Sequence, residues 1–178
     1  QSGVGNAFHN LTLQDGAILG GDLQVSGRLL ISGGTLQAGG NTITIEGEWQ
    51  NPGGAAGFAA GTGVVDIVNA ATEARFTGAT TFNVLRVQPA AVGKTIRFEA
   101  GVTQTVASFE VSGGVADGEV VYLRSTTDGI AWRVNASAAT VDHVNVRDSD
   151  ASAGIQINAT ESFSDGNNTN WVFTPPAN

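Results

Sequence analysis

The residues with the strongest potential for chemistry form an acidic group near the end of the sequence. Asp148 and Asp150 enclose a serine in "DSD", and Asp165 and Asn167 belong to "DGNN". Calcium binds six to eight oxygen ligands, and turns of this composition supply carboxylate, amide and carbonyl oxygens close together. The alternative, which the missing EF-hand spacing favours, is that these side chains hydrogen-bond to their own backbone in tight turns. Calcium is the one cofactor that we consider for this sequence.

Other pairings of reactive side chains predict no catalysis. His9 and His143 lie in similar sequence contexts but far apart along the chain. Glu46 and Glu48 would lie roughly 6.5–7 Å apart on one face of a strand, a spacing found in glycosidases, yet any Glu-x-Glu on the outer face of a strand has it. The sequence contains no cysteine, no Ser-His-Asp order, no phosphate-binding Gly-Lys-Ser/Thr loop and no zinc motif. We therefore expect this protein not to be an enzyme.

Two aromatic residues are the candidates for contact with a sugar. Trp49 and Phe58 lie in residues 46–63, a glycine- and alanine-rich stretch that we predict to be a loop on one face of the protein. Exposed aromatic rings offer a ligand a large contact area. Trp132 alternates with aliphatic residues and is expected in the core instead. Extracellular polysaccharide is therefore one partner to consider.

Composition excludes several classes of partner and indicates a location. The 178 residues carry a formal net charge of −8, Lys94 is the only lysine, and the seven arginines are scattered along the sequence. Binding to nucleic acid or to an anionic membrane surface requires clustered cations, so neither is expected. No apolar run is long enough for membrane insertion, and no leader-like segment precedes Gln1, so we expect a mature or trimmed chain. Abundant Thr, Ser, Asn and Gly indicate an exported protein, extracellular or at the cell surface.

The elements that must position these residues are short, glycine-punctuated strands. Segments such as "DLQV", "TLQA" and "TITI" alternate apolar and polar residues, and turns such as "DG", "SGG" and "AGG" separate them. Similar sequence segments recur at 7–15, 81–89 and 140–148, as expected when equivalent residues of stacked coils point into one common interior. We predict an all-β fold, a parallel β-helix or β-solenoid of one domain spanning 1–178. A β-sandwich is the alternative.

The two ends of the sequence resemble the repeats of secreted bacterial surface proteins and adhesin-like β-helices. The residues that carry the resemblance at the start are Phe8, Asn10, Leu11, Thr12, Leu13, Leu23, Val25, Gly27, Leu29, Ile31, Gly34, Thr35, Leu36, Ala38, Gly39, Gly40, Asn41, Thr42, Ile43, Thr44 and Ile45. The segment 140–178, with Asp142, Asp148 and "DGNNTNW", is similar to the terminal turns and cap of such proteins. The resemblance implies architecture and leaves activity open.

These observations together predict a structural protein that assembles with copies of itself. Open strand edges at the ends of a β-coil invite pairing with another chain, and 1–13 is suited to docking as an added strand. Head-to-tail addition produces a filament or a surface layer. The residues expected at the subunit interface are Val4, Ala7, Phe8, Leu11, Leu13, Trp171, Val172 and Phe173. The alternative function is a carbohydrate-binding or adhesin module of a larger surface protein.

Overall fold

Parallel β-strands make up almost all of the regular structure. The computed structural model describes residues 6–68, 73–88, 93–114 and 119–177. Within them the chain forms twenty strands and one single-turn 3-10 helix. Every strand pairing in these ranges is parallel. A β-sandwich is built from antiparallel strands, so that alternative is wrong.

The strands are short and follow one another closely along the chain. The first ten are β1 (Asn6–Leu13), β2 (Ala17–Ile18), β3 (Leu23–Ile31), β4 (Leu36–Gln37), β5 (Thr42–Ile45), β6 (Glu48–Gln50), β7 (Phe58–Ala59), β8 (Val64–Ile67), β9 (Ala74–Thr77) and β10 (Thr81–Val87). The remaining ten are β11 (Thr95–Phe98), β12 (Thr103–Ser112), β13 (Val121–Ser125), β14 (Trp132–Asp142), β15 (Val144–Val146), β16 (Ser149–Asp150), β17 (Ile157–Thr160), β18 (Phe163–Ser164), β19 (Asn168–Thr169) and β20 (Trp171–Phe173). The 3-10 helix is Gly54–Gly57, directly before β7.

The chain winds as a three-faced coil, a parallel β-helix, as predicted from the sequence. Face A is defined by one inward ladder that takes one residue from each successive pass of the chain: Phe8, Val25, Ile45, Ile67, Val87, Val111, Val141, Ala159 and Phe173. Face B is defined by the inward ladder Leu11, Leu29, Trp49, Phe76, Phe98 and Ser125. Face C contains β2, β4, β7, β16, β19 and the starts of β10, β12 and β14. Eight turns of three faces are followed by β20, a further pass across face A.

The core lies along the axis of the coil because alternate residues of each strand point inward. The central turns contribute large rings: Trp49 stacks on Phe76 at a centroid distance of 6.2 Å, and Phe98 stacks on Trp132 at 4.3 Å. All four side chains are completely buried. Burial of each such side chain stabilises the fold by about 1.5–3 kcal/mol. The prediction that Trp132 lies in the core is confirmed.

The corner between faces A and B brings successive turns very close together. A Cβ atom on Gly27 would lie 2.6 Å from the carbonyl oxygen of His9, and one on Gly47 would lie 2.3 Å from the carbonyl oxygen of Gly27. Real Cβ contacts are not this short, so the second and third turns of the coil need glycine at this corner. The same corner in later turns includes residues 69–72, 89–92 and 115–118, which fall outside the described ranges.

Two details of the sequence interpretation differ from the structure. Residues 46–63, predicted to be a loop, contain β6, the 3-10 helix and β7 and so supply strands to faces B and C of the third turn. The recurring phrases at 7–15 and 140–148 both run from face A to face B, but the phrase at 81–89 runs from face C to face A, where Phe82 pairs with Val106. The three similar segments therefore each cross a corner between two faces, but they do not all lie at the same corner of the coil.

No helix long and apolar enough to cross a membrane occurs in the described parts of the chain.

The two buried tryptophans provide a test of the core. Trp49 Nε1 donates to Thr80 Oγ1 at 3.2 Å, whereas Trp132 Nε1 is buried with no hydrogen-bond partner among the described residues. Both Trp→Phe changes remove a similar ring volume, but only Trp49→Phe breaks a hydrogen bond, and Trp132→Phe removes an unsatisfied donor. We expect Trp49→Phe to lower the free energy of unfolding by about 1–3 kcal/mol more than Trp132→Phe in urea titrations at pH 7. If the two variants lost equal amounts of unfolding free energy, the Trp49–Thr80 hydrogen bond would not contribute to stability and this prediction would be wrong.

Candidate functional site

Asp148 is held by protein donors at the corner between faces B and C. Asn167 Nδ2 donates to Asp148 Oδ1 at 2.7 Å, and the Gly129 amide donates to Oδ2 at 3.0 Å. Arg147 Nε forms an ion pair with the same carboxylate at 3.4 Å. Burial alone would raise the pKa of Asp148, but these hydrogen bonds and the Arg147 charge outweigh it and hold the pKa below its ordinary value.

The other acidic side chains of the predicted calcium site have separate partners. Asp165 accepts from Arg124 at 2.8 Å and from Asn145 at 3.1 Å. Asp150 accepts from the Ser152 amide at 2.9 Å, and hydrogen bonds from Ser152 lower the pKa of Asp150.

The structure does not support the predicted calcium site. Oxygen ligands for calcium must converge on one point, whereas Asp148, Asp150 and Asp165 each face different N–H donors. No group of three or more carboxylate or imidazole side chains suited to a metal occurs in the described ranges. Asp148 and Asn167 instead adopt left-handed backbone angles, with φ of 55° and 54°, at equivalent corners of successive turns. Asp and Asn tolerate this conformation, so the expected left-handed turns are present. A hydrogen bond to the backbone of its own turn is formed by Asp150, whereas Asp148 and Asp165 accept from residues of other turns.

The predicted aromatic sugar platform lies in the core. Trp49 is fully buried and Phe58 is 4% exposed, with their rings 4.9 Å apart in an edge-to-face contact. Trp49 occupies the inward ladder of face B between Leu29 and Phe76, so no ligand on the surface can reach its ring. The prediction of a ligand site at Trp49 and Phe58 is wrong.

The histidines and the paired glutamates do not form a catalytic arrangement. His9 and His143 occupy the same corner of the coil but six turns apart, roughly 29 Å along the axis. His143 Nδ1 lies 2.8 Å from Asp142 Oδ1, and Ser112 Oγ donates to that same oxygen at 2.8 Å. The serine therefore contacts the carboxylate rather than the imidazole, whereas an activated nucleophile contacts its base. Glu48 accepts from Gln50 Nε2 at 2.9 Å.

The residues predicted for a subunit interface divide into two groups. Their inward members lie in the end strands β1 and β20 and are only partly covered: Phe8, Leu11, Leu13, Trp171 and Phe173. Ala7 and Val172 point outward to the side of face A, where their register partners are Gln24 and Asn158. Val4 lies outside the described residues.

Sequence reasoning missed an arrangement of cations on face B. Five arginines occupy one outward column along the coil and are named here the arginine column: Arg28, Arg75, Arg97, Arg124 and Arg147. The arginines are scattered along the sequence, but the inference that they form no cluster is wrong, because the coil aligns five of them. One sequence signal indicated part of this arrangement: Arg75 and Arg97 each directly precede a phenylalanine that points inward, so both arginines must point outward.

Lys94 is the other unusual cation. Its side chain is buried, and Nζ donates to the backbone carbonyl of Glu46, two turns earlier in the coil, at 2.7 Å. Burial lowers the pKa of Lys94 to about 8, and the charge of Glu46 opposes this only in part.

Acidification tests the role of Asp148. Because its folded-state pKa lies below the ordinary value of 3.8, its contribution to stability is complete above pH 4 and is lost as the pH falls through the folded-state value. We expect Asp148→Asn to lower the free energy of unfolding at pH 7 by about 1–3 kcal/mol. The variant should also lose less stability than the natural protein as the pH falls, and the acid-dependent loss that remains should include the contribution of Asp150. Urea titrations between pH 2.5 and 7 measure both, with Asp15→Asn in an exposed turn as the control. An unchanged acid slope would contradict this role.

Alkaline titration tests the burial of Lys94. The unfolded chain keeps this lysine protonated up to about pH 10.5, whereas the folded protein releases the proton near pH 8, so folding becomes more favourable between these values. We expect the free energy of unfolding of the natural protein to rise from pH 8 to 10.5 relative to Lys94→Met. Parallel curves for the two proteins would show that Lys94 is solvated.

Comparisons of the chain with protein-family models, with curated proteins and with solved structures gave no match. The resemblance to secreted bacterial surface proteins stays a prediction from the residues of the first and last turns.

Proposed function

We propose that this chain is a structural protein whose coils stack end to end with further copies to form a filament or surface layer outside the cell. The observation that carries the proposal is the face A ladder, which reaches both ends of the described coil with aromatic residues that are incompletely covered. The extracellular location is inferred from the composition and from the resemblance at the two ends of the sequence.

At the first end, β1 offers an apolar surface and a strand edge. Among the described residues β1 pairs only with β3, so the backbone groups of its other edge have no strand partner. Phe8 is 42% exposed although it belongs to the inward ladder. Leu11 and Leu13 pack against the core on one side and are partly open on the other. Such an edge favours the addition of a parallel strand.

At the other end, β20 offers the complementary surface. In the described part of the chain it pairs only with β17. Trp171 and Phe173 stack with ring centroids 5.8 Å apart and are half-buried. Pro175 and Pro176 follow and have no N–H group to donate, so strand pairing at this end is confined to face A.

A second copy placed on β20 would continue the coil. Its Phe8 would follow Phe173 in the face A ladder, and its β1 would pair in parallel as every described strand does. The two contacting surfaces differ, so the interface is heterologous and each added copy presents a new free end. This geometry produces open filaments.

Two end variants test the proposal together. We expect Phe8→Asp and Phe173→Asp each to be monomeric, because either change places a charge in the apolar junction. An equimolar mixture should form dimers and nothing longer, since each variant keeps one intact end. The natural protein should form polymers. Size-exclusion chromatography with light scattering, and electron microscopy, measure these states.

The matched control is Ile18→Asp, which changes a 75% exposed residue of the first turn that points outward on face C. It should polymerise like the natural protein. A natural protein that stays monomeric at high concentration, or end variants that still polymerise, would overturn the proposal.

A further inference from the structure

The arginine column forms the middle of a longer outward column on face B. From one end of the coil to the other the register is Asn10, Arg28, Glu48, Arg75, Arg97, Arg124, Arg147 and Asp165. Five of the seven arginines thus share one line on a protein with a net charge of −8. Neighbouring positions lie about 4.8 Å apart, so like charges in this line repel unless they are compensated.

The later half of the arginine column is neutralised by carboxylates of the protein. Arg97 pairs with Glu73 at 2.9 Å, Arg124 with Asp165 at 2.8 Å, and Arg147 with Asp128. Burial lowers the pKa of Arg124, Asp165 opposes the shift, and the neighbouring charges of Arg147 and Arg97 add to it. The positive charges in this part of the column are therefore balanced by carboxylates of the protein itself.

The earlier half is not neutralised in this way. Neither Arg28 nor Arg75 has a carboxylate within ion-pair distance in the described parts of the chain. They lie two turns apart, about 10 Å, on either side of Glu48, which is hydrogen-bonded by Gln50. Arg75 is exposed and Arg28 half-buried.

A cleft adjoins Arg28. It has a volume of about 480 Å³ and is open to solvent. His9, Asn10 and Ser26 line it with polar atoms, Arg28 and Glu48 line it with charged side chains, and the glycines at 27 and 47 add no side chains to fill it. The Asn10 side-chain oxygen accepts a hydrogen bond from the Arg28 backbone amide at 2.9 Å. The Arg28 guanidinium and the Asn10 amide group have no hydrogen-bond acceptor among the described residues, so both are available as donors in the cleft.

Aromatic side chains flank the arginine column on the same face. Tyr122 and Phe163 belong to the neighbouring outward column, where the register runs from Thr95 through Tyr122 and Asn145 to Phe163. Phe163 is 45% exposed, and the Arg124 guanidinium lies over the Tyr122 ring at 5.1 Å. Rings of this kind pack against the C–H faces of sugars, while the arginine fork matches a carboxylate.

We propose that face B binds a linear polysaccharide that contains carboxylated sugars, with the polymer lying along the axis of the coil. Arg28 and Arg75 bind its carboxylates, the cleft at Arg28 receives one sugar, and Phe163 supports a more distant part of the chain. One copy of the protein carries the whole surface, so this binding does not depend on end-to-end assembly.

The distribution of charge favours a weakly charged polymer over a nucleic acid. A DNA duplex carries one charge per about 1.7 Å of axis, whereas Arg28 and Arg75 are about 10 Å apart. The excess acidic residues of the other faces repel a densely charged chain but are screened beyond about 8–10 Å at physiological salt. A carboxylated sugar polymer reaches Arg28 and Arg75 with its widely spaced charges, provided that the sugar unit that passes Glu48 between them carries no carboxylate there.

Affinity electrophoresis and titration calorimetry with polygalacturonate test the proposal. The natural protein should bind polygalacturonate at 50 mM salt, bind it less tightly as salt increases, and ignore neutral dextran. The double variant Arg28→Gln, Arg75→Gln should bind at least about tenfold more weakly, because each charge-assisted hydrogen bond contributes more than a factor of ten. The matched control is Arg86→Gln, which changes an outward arginine of face A that pairs with Asp66. It should bind like the natural protein.

Several results would overturn the proposal: no binding of polygalacturonate at low salt, equal binding by the double variant, equal binding of dextran, or tighter binding of an oligo-thymidine strand. Repeating the titration with Phe8→Asp separates this surface from assembly, since that change lies at the end of the coil. Circular dichroism confirms that each variant is folded.

Discussion

Parallel pairing between successive turns is the interaction on which the rest of the structure depends. A strand of two to four residues cannot satisfy its backbone by itself, so each turn obtains its hydrogen bonds from the turns before and after it. This fixes the register, and the register in turn stacks equivalent positions along the axis. The face A ladder, from Phe8 to Phe173, is the direct result. Side chains therefore have neighbours that are distant in sequence, and their burial is decided by those neighbours.

The same stacking acts on the outside of the coil, where it creates a cost. Arginines in one outward column repel one another, and the structure offsets this with carboxylates from other turns: Glu73 pairs with Arg97 of the next turn, and Asp165 pairs with Arg124 two turns earlier. Exposed ion pairs of this kind contribute little stability on average. Their effect here is to remove repulsion, and Arg28 and Arg75 stand out because the described protein leaves them without such a partner.

The sequence predicted the coil because alternation in segments such as "TITI" and regular glycine turns are local signals, and the tolerance of Asp148 for a left-handed backbone is equally local. Trp49 was misplaced because β6 has only three residues, too few to show alternation, and its burial follows from register with Leu29 and Phe76 in other turns. The arginine column was missed for a related reason. The segments between faces A and B differ in length from turn to turn, so aligned residues have unequal spacing in the sequence.

The end turns of a solenoid differ physically from the middle turns, since they have one neighbour instead of two. In such proteins stability is approximately a sum over turns and the contacts between neighbours, so an end turn lacks one contact contribution. The proposed stacking of copies would supply it with the same parallel pairing that holds the middle turns together. The outward column of face B is compatible with this, because it ends in Asn10 at one end and Asp165 at the other. No arginine would meet an arginine at the junction, and charge repulsion would not oppose the continuation of the apolar ladder.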